Sequence, residues 1–483
     1  GVVTGNMYEQ NFAITSNRAP DIQEHPGDQT VLQGADVTFS VLADGTEPLS
    51  FQWKRDGDIL AGETTSTLTL SNVTTNDSGA TFSVVVSNPF GSLESDPATL
   101  TVFPPGVVAD TTFMWKVNHE DRNYFSTAHA ERGFTYNPVS GNILLSSRTP
   151  QTGVHVMDGD TGEHLHSLTL TATVSGGYYP LQMIGAADDG AVYAANLILN
   201  NSTPFRVYRW ENDGPDTEPT LAFNGDPGLG NNQRWGDTMD VRGKGTNTQI
   251  LVASRLGNVV SILTTTNGVD FTATPITVDG VPGGVFGLGV AFGRGNTYWG
   301  KATNAPLRQV EFDLATGTGT VIRTIGSPTI PDTIAPIGVH AQLDLIGGLS
   351  FESPDRLYLY DIESDPVPPS LASATFPTAV ANTFFVGAVD FGRDRVYALN
   401  PNNGIIALKL NFPTPSVPTI TKAERVGNGI GLWFGAERRP YVIEASSNLT
   451  DWEPVAYEIP EDGYVEIQDP NPNDARFYRV VAP

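Results

Sequence analysis

The 483-residue sequence contains no cysteine. Disulfide scaffolds, thiolate metal centres and cysteine nucleophiles are therefore excluded. No apolar run approaches the roughly 18 to 20 residues that span a bilayer, and the first residues lack a signal-peptide pattern. The chain begins at Gly1 rather than Met, which fits a form whose export signal has been removed. We therefore expect an extracellular or cell-surface protein without a membrane span.

Basic residues are scarce: 27 Lys and Arg stand against 53 Asp and Glu, a formal net charge of −26. Such a surface repels phosphate backbones and anionic membranes, so nucleic acid is not an expected partner. The serine-nucleophile elbow, phosphate-binding loop, dinucleotide fingerprint and His-Glu-x-x-His motif are also missing from the sequence. Carbohydrate-active enzymes remain open, because their paired carboxylates leave no local signature.

The 50 glycines and 35 prolines suit many tight turns between short strands. With a length that predicts several domains, they indicate an all-β chain. Residues 1–20 come first and are too polar to fold alone, although Met7, Tyr8, Phe12 and Ile14 form an apolar cluster. We predict that this tail docks, either on its own chain or as an added strand on a neighbouring molecule. In the second case these four side chains would mediate self-assembly.

Residues 21–103 show short alternating strands separated by turn signals, the pattern of a β-sandwich. The segments GADVTFSV (34–41), FQWKRDG (51–57), STLTLSNVTTNDSG (66–79) and FSVVVSNPFG (82–91) carry a resemblance to bacterial immunoglobulin-like domains of the intermediate type. Val41 and Val84 stand where that family often has a cysteine pair. The resemblance implies that Trp53 belongs to the core.

A linker at 104–106 leads to a long repeat over residues 107–412. Its apolar segments recur about every 50 residues: NILLSS (142–147), AVYAAN (191–196), QILVAS (249–254), NTYWGK (296–301), GGLSFE (347–352) and RVYALN (395–400). This period is that of one four-stranded blade, so six segments predict a six-bladed β-propeller, with seven blades as the alternative. FMWKVN (113–118) should complete the last blade beside GIIALKL (404–410). The region also resembles, diffusely, a family of secreted bacterial propeller proteins, from which no functional residue carries over.

Residues 416–483 form a third predicted module, a small β-sandwich. YVIEASSNLTDWEPV (441–455) and FYRVVAP (477–483) resemble the fibronectin-type tails of large secreted proteins of planctomycete-like and verrucomicrobium-like bacteria. That resemblance implies a location outside the cell rather than an activity.

Two polar motifs could carry chemistry. MDGDTGE (157–163) offers alternating carboxylates that would suit calcium, but VEFDLATGTG (310–319) has the same turn without the second acid, which favours a structural turn. HEDRNYFSTAHAERG (119–133) could supply metal ligands or an acid and a base, or be a solvated loop. Its spacing fits no established zinc motif, so no cofactor is expected.

The loops that precede the innermost strands should meet on one face of a closed ring. These loops would bring nine residues together around a central funnel: Arg132, Tyr178, Tyr179, Arg234, Trp235, Asp237, Phe286, His340 and Phe384. Aromatic faces beside arginine suit sugars that carry a carboxylate, although packing alone also explains such residues.

Two functions follow from these observations. The first is a non-catalytic structural or adhesive protein that associates with itself or with other cell-surface components, using its N-terminal tail. The alternative is a polysaccharide-active enzyme or carbohydrate-binding protein with its site in the funnel. The missing catalytic motifs favour the first.

Overall fold

The structure is a computed structural model of the chain. It describes residues 17–103, 108, 110–200, 202–228, 230, 233–352, 354–363, 367–368, 370–376, 380, 382–412, 420–426, 429–435, 439–460, 464–467 and 477–482. The candidate self-assembly residues Met7, Tyr8, Phe12 and Ile14, like the linker at 104–106, lie outside these residues.

The chain divides into two compact units, Gly1–Gly106 and Val107–Pro483. Regular structure in the described ranges consists of β-strands and two short 3-10 segments, Thr75–Asp77 and Gly245–Asn247, with no α-helix. The all-β prediction is therefore confirmed. No helix long and apolar enough to cross a membrane occurs in the part of the chain that the structure describes.

The first unit is a sandwich of short strands around one core. Its strands are β1 Asp21–Glu24, β2 Gln29–Leu32, β3 Val37–Ser40, β4 Leu42–Asp44, β5 Ser50–Arg55, β6 Asp58–Ile59, β7 Thr67–Leu70, β8 Thr81–Asn88, β9 Gly91–Glu94 and β10 Ala98–Phe103. The main sheet has the order β2-β10-β8-β5-β6, with β9 also on β8, and β1-β4 and β3-β7 are separate pairs.

Trp53 lies at the centre of this core and is fully buried, as predicted. Its indole Nε1 donates a hydrogen bond to the Thr65 carbonyl at 2.9 Å, which satisfies the one polar atom of the ring. Val41 and Val84 are buried in the same core. Apolar packing thus holds the sandwich where the related domains often have a disulfide.

The second unit contains six antiparallel sheets of four strands each. The first sheet contains β12 Phe134–Tyr136, β13 Asn142–Ser147, β14 Gly153–Asp158 and β15 His164–Ser167, and the second contains β16 Tyr179–Ala186, β17 Val192–Leu197, β18 Phe205–Trp210 and β19 Thr220–Gly225. The third contains β20 Met239–Arg242, β21 Gln249–Ala253, β22 Val259–Thr265 and β23 Phe271–Val278, and the fourth contains β24 Gly289–Phe292, β25 Thr297–Lys301, β26 Leu307–Asp313 and β27 Thr318–Ile325. The fifth contains β28 Ile334–His340, β29 Leu345–Ser350, β30 Arg356–Asp361 and β31 Ala372–Thr375, and the sixth contains β32 Ala388–Phe391, β33 Arg395–Asn400, β34 Gly404–Asn411 and β11 Asp110–Val117. A short parallel pairing of β23 with β27 joins the third sheet to the fourth.

The first strand of each sheet contacts the first strand of the next, and β32 of the sixth sheet returns to β12 of the first. These six inner strands therefore form a closed cycle of contacts. The repeated apolar segments found in the sequence supply the second strand of every sheet, β13, β17, β21, β25, β29 and β33. They are nearly continuous apolar runs because both faces of these strands are covered by neighbouring sheets.

Strand β11 pairs antiparallel with β34, so residues from both ends of this region build the sixth sheet. The predicted pairing of FMWKVN with GIIALKL is confirmed. Gly404 begins β34 with a φ of +96°, and a Cβ at this position would collide with the carbonyl of Val117. Glycine is therefore required where the two ends meet.

Two partly buried carboxylates link neighbouring inner strands. Asp240 in β20 accepts a hydrogen bond from the Phe292 amide at 2.6 Å. Asp390 in β32 accepts one from the Tyr136 amide at 2.8 Å and one from the Thr135 hydroxyl at 2.9 Å. Each contact links one sheet to the next, which fixes the inner strands that carry the site.

The C-terminal strands are β35 Ile420–Val426, β36 Gly429–Phe434, β37 Tyr441–Ser446, β38 Glu453–Glu458, β39 Tyr464–Ile467 and β40 Phe477–Val481. They form two three-stranded sheets, β35-β36-β39 and β38-β37-β40, around a core that includes Leu432, Tyr441 and Ile443. Ile459 instead packs in the core of the fifth and sixth sheets.

Candidate functional site

A pocket of about 370 Å³ opens where the loops before several inner strands meet. The inner strands start at the same end of the ring, so the residues ahead of β12, β16, β20 and β32 come together there. The lining residues are Ala128, His129, Arg132, Arg148, Tyr178, Tyr179, Gln182, Leu197, Leu199, Arg234, Arg255 and Phe384. Four of them are arginines, in a chain whose net charge is −26.

Two of the four arginines share the single carboxylate of Asp237. Arg234 grips this carboxylate with two hydrogen bonds of 2.5 and 2.6 Å, and Arg255 adds a longer one of 3.3 Å. The carboxylate itself is almost completely buried, with 1% of the side chain exposed. The bidentate geometry orients the Arg234 guanidinium at the edge of the pocket.

Arg132 and Arg148 have no such counter-ion: no carboxylate of the described residues forms an ion pair with either. Arg148 donates to the Gln182 side-chain oxygen at 2.6 Å and to the His129 carbonyl at 2.5 Å. Arg132 donates to the same carbonyl at 2.9 Å. Burial, with repulsion from Arg148, lowers the pKa of Arg132 to about 10, so it still carries its charge at neutral pH.

Aromatic rings lie against these two guanidiniums. The Arg148 guanidinium carbon is 3.8 Å from the centroid of the Tyr179 ring, and that of Arg132 is 5.9 Å from the Phe384 ring. Tyr178 meets Tyr179 edge to face at 4.6 Å between centroids. Tyr178 and Phe384 are exposed, so each presents a ring to the solvent at the mouth of the pocket.

A buried carboxyl group, that of Glu131, lies behind this arginine pair. Glu131 is fully buried, and neither of its oxygens makes a hydrogen bond of ordinary geometry with the described residues. Burial raises the pKa of Glu131 to about 7, while Ser126 and the charge of Arg148 act in the opposite direction. This carboxyl therefore changes its charge near neutral pH.

The neighbouring His129 adopts a left-handed backbone conformation with a φ of +54°, which is uncommon outside glycine. This conformation belongs to the loop that directs its carbonyl oxygen to Arg132 and Arg148. Its ring packs edge-on against Phe384, with 4.5 Å between centroids. Burial, together with the charges of Arg132 and Arg148, lowers the pKa of His129, so the ring is neutral at pH 7.

The structure brings some of the sequence-predicted residues together and separates others. Arg132, Tyr178, Tyr179, Arg234 and Phe384 line the pocket, and Asp237 lies beneath Arg234.

Trp235, Phe286 and His340 lie elsewhere. Trp235 is fully buried between the second and third sheets, because its backbone pairs with Ile198 and draws the indole into the core. Phe286 is fully buried against Tyr298. His340 is the last residue of β28, at the other end of its inner strand from the residues that line the pocket.

Sequence reasoning missed Arg148, Arg255 and Gln182. Arg148 and Arg255 each follow the second strand of their sheet, within ILLSSR (143–148) and ILVASR (250–255). Aligning the repeats would have revealed this shared Ser-Arg pair. Gln182 lies inside β16 and has no comparable signal.

The polar motifs of the sequence have mainly structural partners. Asp158 accepts hydrogen bonds from the amides of Asp160 and Thr161 at 2.9 and 2.8 Å, as expected for a tight turn. Asp313 does the same with the Ala315 amide. Across the described ranges, no three His, Asp or Glu side chains are grouped so that they could hold a metal ion.

The loop at 119–133 contributes to two different places. His129 and Arg132 reach the pocket, whereas Arg122 and Tyr124 line a more open cleft of about 690 Å³ on the outer part of the first sheet. In that cleft Tyr124 stacks on His155 with 3.8 Å between centroids. Burial lowers the pKa of His155 to about 4 and keeps the ring neutral. The cleft has a single arginine and lacks the concentrated charge of the pocket.

Comparisons with known proteins identify one part of the chain. No curated protein sequence matches the chain. Among solved structures, a DUF4623 family protein from Bacteroides eggerthii is similar at 15% identity, covering 78% of this chain and 89% of that one with a TM-score of 0.47. The structure of titin M4 is 26% identical, and the match covers 18% of this chain and 100% of the titin chain with a TM-score of 0.17. The tandem immunoglobulin repeats of Dlar are 20% identical, and that match covers 19% of this chain and 51% of the Dlar chain with a TM-score of 0.17. A family model described as an immunoglobulin domain matches residues 19–88, so the first unit contains an immunoglobulin-like domain.

Proposed function

We propose that this protein is an extracellular carbohydrate-binding protein that takes an acidic sugar of a polysaccharide into the arginine pocket. In this proposal the six sheets are the blades of a six-bladed β-propeller, and the pocket is the mouth of its funnel. The six-strand cycle of contacts and the strand β11 that completes the sixth sheet support the blade assignment.

The observation that carries the proposal is the pair Arg132 and Arg148. Both are half-buried and lack a carboxylate partner in the described residues. A guanidinium that has lost part of its hydration without gaining a counter-ion is costly, and an entering anion repays that cost. Carboxylate and sulfate groups match the planar fork of arginine through two parallel hydrogen bonds.

The aromatic residues favour a sugar as the carrier of that anion. Tyr178 and Phe384 offer exposed ring faces close to the two guanidiniums. An apolar face with a few convergent polar groups is the usual composition of a small-molecule site. The net charge of −26 argues against polyanions that would spread over a wide surface, such as nucleic acid.

The extracellular location rests on the resemblance of the terminal modules to secreted proteins and on the immunoglobulin-like domain. Domains of this class commonly serve as spacers or contact modules outside cells. In the proposed arrangement, the first unit would hold the pocket-bearing unit near a polysaccharide or a cell surface.

A direct test is a binding screen of the full chain by isothermal titration calorimetry. Trigalacturonate and a sulfated oligosaccharide should bind, whereas the methyl ester of trigalacturonate, which has lost its carboxylates, should not. Equal binding of the acid and its ester would overturn the assignment of an acidic ligand, and no binding of any saccharide would overturn the function.

A second candidate is the structural or adhesive role, in which copies of the chain associate. The observation that favours it is a set of exposed apolar side chains on the immunoglobulin-like unit, including Ile59 on the edge strand β6, 66% exposed, and Leu93 on β9, 42% exposed. Light scattering of the full chain, of a form without residues 1–20 and of Ile59→Asp tests it. Assembly that only the intact chain shows would support this role, and a monomer in all three forms would contradict it.

A further inference from the structure

We propose that ligand binding in this pocket is coupled to the uptake of a proton by Glu131, so that the site holds an acidic ligand at acidic and neutral pH and releases it in alkaline medium. This inference rests on the proposed function and concerns the regulation of the same site. Glu131 is a positioning residue in this account, because it acts through Arg148 and does not line the pocket.

The first support is the place of Glu131 in its loop. Residues 129 and 132 on either side reach the pocket, while the carboxyl of Glu131 points into the protein and is fully buried. Neither carboxyl oxygen of Glu131 forms a hydrogen bond of ordinary distance and angle with any described residue. The loss of hydration outweighs the opposing influence of Ser126 and the nearby backbone amides, so burial favours the neutral acid.

The second support is the link between Glu131 and Arg148. Although the two residues form no ion pair, the charge of Arg148 acts on Glu131 and favours its ionised form, and the same guanidinium lines the pocket. An ionised Glu131 and a bound ligand carboxylate would therefore share one cation. When Glu131 is neutral, the full charge of Arg148 is available to the ligand.

Several other charged or titratable groups lie around this place. Arg132, on the same loop, and Arg148, after β13, stay positive. His129 is neutral, because burial and two arginines lower its pKa. Arg234 and Arg255, from the third sheet, share the carboxylate of Asp237. Burial raises the pKa of Glu131 to about 7, which leaves it as the group that changes charge near neutrality.

Thermodynamic linkage between proton binding and ligand binding determines whether the affinity rises or falls with pH. A ligand carboxylate at Arg148 disfavours the ionised form of Glu131, so binding raises the pKa of this residue further and takes up a proton. Affinity for the acidic ligand should be constant well below pH 7. Above pH 7 it should fall, approaching roughly tenfold for each pH unit as long as the bound form stays protonated.

The test uses the full chain and trigalacturonate, whose carboxylates do not titrate between pH 6 and 8.5. Calorimetry at pH 7.5 in two buffers of different ionisation enthalpy counts the protons taken up on binding. Glu131, with a pKa of about 7, is already partly protonated at pH 7.5, so we expect an uptake of up to about three quarters of a proton for the wild type, and none for Glu131→Gln. The dissociation constant of Glu131→Gln should change by less than about twofold over this pH range.

A direct measurement in the wild type supports the same test if the variant does not fold. Carbon-13 NMR of glutamate carboxyl carbons should show one that titrates near pH 7 in the free protein and at higher pH in the complex. Trigalacturonate binding without proton uptake, or an equal pH profile in the variant, would overturn the inference and leave the proposed function intact. Failure of trigalacturonate to bind at any pH would overturn both.

Discussion

The guanidinium of Arg148, which follows the second strand of the first sheet, lies 3.8 Å from the centroid of Tyr179, the first residue of the second sheet. The stacked ring covers one side of the guanidinium, and the Gln182 side chain and the His129 carbonyl hold two of its N–H groups. These partners come from two sheets. The direction of the guanidinium therefore depends on how neighbouring sheets pack.

Replacing Tyr179 by leucine should weaken the binding of an acidic oligosaccharide. Removing the ring takes away a cation–π contact worth about 0.5 to 2 kcal/mol and releases Arg148 from its orientation, so we expect a loss of roughly 2- to 30-fold in affinity. Tyr179→Phe is the matched control, because it keeps the ring and should bind like the wild type. Calorimetry with trigalacturonate measures both. A loss in the phenylalanine variant equal to that in the leucine variant would show that the hydroxyl, not the ring, matters.

Asp237→Asn should have the opposite effect on affinity. The amide keeps the shape of the side chain but removes the negative charge shared by Arg234 and Arg255. The pocket then gains one net positive charge, and an anionic ligand should bind more tightly at low salt, with a difference that shrinks as ionic strength rises. Weaker binding in this variant would indicate that Asp237 contacts the ligand itself.

The buried carboxyl of Glu131 predicts a dependence of stability on pH. Its pKa in the folded protein is about 7, above the ordinary value of 4.5, so the folded state binds more protons than the unfolded state between these values. Stability from this group is complete below about pH 4.5 and is lost as the pH rises through 7. The shift of about 2.5 units corresponds to about 3 kcal/mol.

Urea unfolding at several pH values measures this dependence. The difference in unfolding free energy between Glu131→Gln and the wild type should grow in favour of the variant from pH 5 to pH 8. Parallel pH profiles of the two proteins would show that Glu131 ionises without cost.

The burial of Trp115 predicts that strand β11 contributes strongly to the stability of the sixth sheet. Its side chain is 8% exposed, and Nε1 donates to the Gly159 carbonyl at 3.0 Å, across to the first sheet. Trp115→Ala should lower the free energy of unfolding by about 3 to 5 kcal/mol. Phe113 on the same strand is 56% exposed, so Phe113→Ala should change it by less than about 0.5 kcal/mol. Equal effects in denaturant titrations would contradict the burial pattern of β11.

Much of the strand organisation could be predicted from the sequence, because it is encoded by repetition. Each of the six apolar segments became the second strand of a sheet, and FMWKVN paired with β34. Both signals are local: an apolar run that is covered on two faces, and an unmatched strand at the start of the repeat. The burial of Trp53 could likewise be predicted, from the resemblance to immunoglobulin-like domains.

The site was harder to predict because it depends on strand ends. The sequence predicts His340 ahead of an inner strand, but that strand already begins at Ile334, so His340 ends it. Trp235 adjoins the pocket in sequence, yet its pairing with Ile198 draws it inward. The burial of Glu131 has no sequence signal at all, since the polar run around it gives no indication of which carboxyl is covered.

Ligand affinity in matched arginine variants tests most directly whether Arg132 and Arg148 bind the acidic group of a ligand. Calorimetry with trigalacturonate should compare Arg132→Ala and Arg148→Ala with Arg308→Ala, which removes the same charge from a half-buried position on β26 outside the pocket. Charge-assisted hydrogen bonds of about 1.5 to 3 kcal/mol predict a loss of roughly 10- to 150-fold in each pocket variant and less than about twofold in Arg308→Ala. Equal affinities in all three variants and the wild type would contradict the account.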